Sequence, residues 1–168
     1  MLSGAPLRRS GLDKMDLSDL IKTDAIVPSL KANSKKQAIQ ALAEKAAAML
    51  DLEEREVFET LIQREKLGST GVGGGIAIPH GKLAKLDRIF GLFARLSKPI
   101  DFESVDDQPV DLVFLLLAPE TAGADHLKAL ARIARLFREP GVAGKLRASA
   151  DTAALYSVLT EGATPDAA

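Results

Sequence analysis

Between residues 34 and 68 apolar and polar positions alternate with a helical period. Ile39, Leu42, Ala43, Ala46 and Leu50 fall on one stripe, and Ser34 and Gln37 stand ahead of it at capping-box spacing, so the pattern predicts a helix opening at Ser34. Asp51 and Glu54 repeat that spacing before Val57, Phe58, Leu61 and Ile62, which predicts a second helix ending ahead of Gly68 with Arg64 in its last turn. Beyond the glycines the period changes. Ile76-Ala77-Ile78 reads as a short strand, Arg88 to Leu96 as a longer one, and the apolar run 110–118 between Pro109 and Pro119 as a central strand covered on both faces. A helix follows over Asp125 to Arg138, with Asp125 as its cap and Leu127, Leu130, Ala134 and Phe137 on its inner side. Two shorter helices close the pattern, Val142 to Ala148 and Thr152 to Leu159, the second capped by Asp151. Helices that precede, interleave with and follow three or four strands predict an α/β fold, one sheet with helices on both faces.

This pattern starts at Met15, so the chain reads as one domain over 15–160, with a flexible extension over 1–14 and a flexible tail over 161–168. Arg8 and Arg9 are not followed by an apolar segment, which argues against a secretory signal, and no apolar run approaches the ~20 residues that span a bilayer. With 22 basic and 23 acidic residues the net charge is -1, which supplies no general pull toward nucleic acid or anionic lipid. There are no cysteines, so thiolate chemistry of every kind is excluded.

The chemistry concentrates in residues 68–82, GSTGVGGGIAIPHGK. Its glycines fail the dinucleotide fingerprint at the sixth position and follow a helix where that motif needs a strand; the P-loop pattern fails as well. His80, His126 and scattered carboxylates have no metal-ligand spacing. What remains is His80 as a nucleophile, because neutral imidazole offers a lone pair near pH 7 without a separate base. A phosphoryl group in transfer carries charge on its equatorial oxygens, and glycine backbone, the Ser69 and Thr70 hydroxyls and a guanidinium are suitable donors. His126, in the first turn of its helix, is a second candidate donor. Plainer roles stay open at this level: turns for the glycines, helix termination for Ser69 and Thr70, dipole complementation for Arg64, packing for His126.

The string from Arg64 and Glu65 through Lys82 resembles the active-site signature of the fructose/mannitol type enzyme IIA domains of the phosphoenolpyruvate-dependent phosphotransferase system. FARLSKPIDF (93–102), DDQPVDLVFLLLAPE (106–120) and AGADHLKALARIARLFRE (122–139) resemble its nitrogen-regulatory branch. The resemblance implies a mixed sheet sandwiched by helices and a phosphoryl relay, with His80 phosphorylated by a histidine phosphocarrier protein of nitrogen or sugar type. His126 then matches the second active-site histidine, Arg64 the motif arginine, and Ser69, Thr70, Gly71 and Gly73 the phosphoryl-stabilising loop. It further implies a cytoplasmic phosphotransferase component without cofactor or metal, which regulates proteins such as transporters or sensor kinases by its phosphorylation state. The alternative is a sugar-specific IIA component that passes phosphate to a IIB protein.

Overall fold

A computed structural model of the chain describes residues 16–162. Of the extension expected over 1–14 and the tail expected over 161–168, only Glu161, which ends the last helix, and Gly162 lie among the described residues. The described residues form six strands and five α-helices. The strands are β1 (Ile26–Leu30), β2 (Gly71–Gly73), β3 (Ile76–Ala77), β4 (His80–Leu83), β5 (Phe90–Ile100) and β6 (Val110–Pro119). The helices are α1 (Lys35–Leu50), α2 (Glu54–Lys66), α3 (Ala124–Arg138), α4 (Val142–Ala148) and α5 (Thr152–Glu161).

The sheet is mixed, in the order β1-β5-β6-β3-β2, with β4 also paired to β6. β5 and β6 run antiparallel, whereas β1 lies parallel to β5 and both β3 and β4 lie parallel to β6. β6 is the central strand that its apolar run predicts: Leu112 to Ala118 are fully buried, which requires cover on both faces. The registers identify the cover. Phe93 and Phe114 are cross-strand partners, and the Phe137 ring of α3 packs within 6.4 Å of both, so α3 lies over that face. Gly81 of β4 points the other way, where a Cβ would crowd Thr60 of α2. Helices therefore cover both faces, as expected. No described helix is long and apolar enough to cross a membrane.

Three local expectations need correction. Asp51 does not cap α2; it ends α1 in the left-handed conformation (φ 57°), while Glu53 takes the N-cap position without a side-chain bond. Aspartate tolerates that conformation, and a lone Asp between two helices serves whichever one claims it. Asp125 likewise lies inside the first turn of α3, and Gly123 (φ 59°) is the N-cap. Leu127 is 67% exposed, because the inner stripe of α3 runs His126, Ala129, Ile133 and Phe137, a histidine standing where an apolar side chain was expected.

Candidate functional site

The register of β4 on β6 places the two histidines on one face. His80 pairs with Leu116, two residues along from Phe114, so its side chain rises on the α3 side of the sheet. There it meets His126, held in the first turn of α3 by the buried stripe below it; the ring centroids are 5.6 Å apart and tilted by 49°. α2 reaches the same spot from the opposite face: in its last turn Arg64 extends round β4, and its Nε donates to His80 Nε2 at 3.2 Å. Arg64, His80 and His126 are thus brought together from three separate elements.

The imidazole of His80 is fixed at both ends. Nδ1 lies 2.8 Å from the Ile78 carbonyl oxygen, which can only accept, so Nδ1 carries the proton and Nε2 the lone pair. Burial pushes the His80 pKa below the ordinary histidine value; the Ile78 carbonyl raises it, the Arg64 charge lowers it and Glu65 raises it. The neutral ring is the favoured form near pH 7. His126 is only 7% exposed, and its Nδ1 has no hydrogen-bond partner among the described residues. Its pKa is also depressed, first by burial and then by His80 and by Lys82, an exposed residue of β4 that the sequence reading did not single out. Two imidazoles that favour the neutral form thus lie in the field of two cations, Arg64 acting on His80 and Lys82 on His126, a local charge suited to an anion.

Part of the glycine segment has a structural task. Gly74 and Gly75, both at positive φ, make the turn between β2 and β3. A Cβ at Gly71 would overlap the Ser104 Oγ. Gly71 and Gly73 thereby seat the β2–β3 hairpin against loop 101–109, with Ser104 and Asp106 as their nearest neighbours. The two hydroxyls are engaged as well. Ser69 Oγ donates to the Phe102 carbonyl at 2.6 Å, and Thr70 Oγ1 donates to the Glu65 carboxylate. Among the described residues no three His, Asp or Glu side chains are grouped to hold a metal ion.

The chain is similar to known proteins over most of its length. The family model described as the phosphoenolpyruvate-dependent sugar phosphotransferase system, EIIA 2, covers residues 19–162. A nitrogen regulatory protein of Bradyrhizobium diazoefficiens is 70% identical over 145 residues, 86% of this chain and 95% of the relative. The crystal structure of the nitrogen regulatory protein IIA-Ntr from Neisseria meningitidis superposes with a TM-score of 0.82 at 34% identity, covering 86% of this chain and 99% of that one. The IIA mannitol enzyme of Escherichia coli, solved in complex with phosphorylated IIB, shares the fold: TM-score 0.71 at 21% identity, over 83% and 98% of the two chains.

Proposed function

The chain belongs to the EIIA 2 family of the phosphoenolpyruvate-dependent sugar phosphotransferase system, and from that premise we propose that it is a phosphoryl carrier of the nitrogen-regulatory kind. It takes a phosphoryl group onto Nε2 of His80 from a histidine phosphocarrier protein, in the cytoplasm, and its phosphorylation state sets its binding to regulated proteins. The observation that carries this reading is the half-buried, neutral-favouring His80 ring, with Nδ1 given to a backbone carbonyl and Nε2 facing a guanidinium.

The step follows from that geometry. The Nε2 lone pair attacks phosphorus in line; the N–P bond of the donor phosphohistidine breaks, and its electron pair returns to the donor ring. No proton has to leave His80, because the lone-pair nitrogen is already unprotonated. Positive charge developing on the ring is stabilised through Nδ1–H by the Ile78 carbonyl. As phosphorus arrives, the Arg64 N–H that faced the lone pair passes to a phosphoryl oxygen, and the His126 ring supplies a further donor. Ser69 and Thr70, whose hydroxyls are already bonded elsewhere, act in this reading by shaping the loop.

The regulatory reading is favoured over a sugar-specific IIA role by the 70% identity to a nitrogen regulatory protein. Exposed Leu67 (84%) and Leu127 follow the site residues Arg64 and His126 closely in the chain, and a group of about two negative charges on His80 changes what a surface containing them can dock. Discharge of phosphorylated protein onto purified IIB proteins separates the two roles: the regulatory one predicts altered binding to target proteins without transfer, and rapid discharge onto a sugar-specific IIB overturns it.

A further inference from the structure

Next to Arg64, on the inner side of the same helical turn, Glu65 is a carboxylate only 8% exposed. A buried charge of this kind is costly unless it is paired and hydrogen-bonded, and this one is both. Its Oε1 accepts from Lys35 Nζ at 3.0 Å and from the Thr70 backbone N–H at 3.2 Å, and its Oε2 accepts from the Thr70 hydroxyl. Lys35 comes from the first turn of α1, lies over the Phe102 ring and is shared with Glu103 at 2.9 Å.

From that carboxylate two short paths lead to the two nitrogens of His80. Glu65 closes the 65–70 turn by binding Thr70; inside that turn the Gly68 carbonyl accepts from Arg64 Nη1 at 2.8 Å, leaving Arg64 Nε aimed at His80 Nε2. On the other path the Thr70 carbonyl accepts from the Ile78 N–H at 2.9 Å, and the Ile78 carbonyl receives His80 Nδ1–H. We propose that the Lys35–Glu65 pair is the positioning element of this site: by holding the 65–70 turn it fixes the tautomer of His80 and the aim of Arg64 together. Neither residue touches the reacting atoms. The inference deepens the phosphoryl-carrier reading and rests on it for its consequence in rate, but its consequence for the ring stands independently.

The test uses the full-length protein with Glu65→Gln, Lys35→Met and Lys35→Arg. Imidazole nitrogen shifts by NMR report the tautomer, and phosphoryl uptake is measured at saturating phosphorylated phosphocarrier. In the wild type His80 should be the Nδ1–H tautomer; in Glu65→Gln and Lys35→Met the two tautomers should mix and the limiting rate should fall about tenfold or more, since small misplacements of reacting groups are costly. Half-saturation should move little, and Lys35→Arg should retain most of the rate. If Glu65→Gln does not fold, the Lys35 pair decides alone. Either an unchanged His80 spectrum or an unchanged limiting rate in Lys35→Met overturns the proposal. A wild-type protein that takes up no phosphate refutes the carrier reading, and the tautomer comparison still decides this one.

Discussion

Arg64 Nε and His80 Nε2 are hydrogen-bonded at 3.2 Å, a donor from the end of α2 resting on the lone pair of a ring at the start of β4. The contact occupies the nitrogen proposed as acceptor, and it is a contact that an arriving phosphoryl oxygen can replace without any large movement of the guanidinium.

Arg64→Ala is therefore expected to slow phosphoryl uptake by about a hundred- to a thousandfold while leaving His80 as the acceptor, the scale of losing one preorganised donor. Arg64→Lys should not restore the rate, because an ammonium lacks the planar fork that reaches Gly68 and His80 at once. Single-turnover transfer from labelled phosphocarrier measures both.

His126→Ala should slow transfer about tenfold with the stoichiometry of labelling unchanged, since it removes a neighbouring donor and not the nucleophile. A wild-type rate in this variant leaves His126 with a packing role only.

Both histidines have depressed pKa values in the folded protein. The unfolded chain consequently binds more protons in the window between the folded values and ~6.5, and there stability rises with pH. Stability is expected to be flat above that window and to fall as pH drops through it, with the melting temperature declining from pH 7 toward pH 5. Carboxylate titration adds to the decline at the acid end. NMR titration should place the His80 midpoint below that of free histidine, and uptake should decline on the acid side of that midpoint. A His80 midpoint above 6.5 contradicts the burial argument.

Gly71→Ala should destabilise the fold by about 1–3 kcal/mol, because the added methyl runs into Ser104, whose backbone as well as side chain is close. Denaturant unfolding tests it. A neutral result shows that loop 101–109 yields to the methyl.

Elements with strong local signals were legible in the sequence. Ser34 does cap α1, accepting from the Gln37 N–H while the Gln37 side chain bonds back to Asn33 N–H, and Asp151 caps α5. The apolar run of β6 was legible through its length and its bracketing prolines. Of the short strands β3 was legible, and β1, β2 and β4 were not. β1 has a proline in the middle of five residues, and β2 and β4 are three and four residues long, with β4 defined by pairing to partners 36 positions away. The same limit applies to the site. Arg64 and His80 are 16 residues apart, close enough for one motif to contain them, but His126 joins them only through the β4–β6 register and the α3 stripe. Glu65 stood within the motif, but its pairing with Lys35 carried no signal, because a buried ion pair across 30 residues has the same letters as two exposed charges.

The most direct measurement is the site of phosphorylation. After incubation with phosphoenolpyruvate, the first enzyme of the system and a phosphocarrier, the wild-type protein should carry one acid-labile phosphate, located by NMR on Nε2 of His80, and folded His80→Ala should carry none. Equal labelling of His80→Ala, or attachment at Nδ1, contradicts the account.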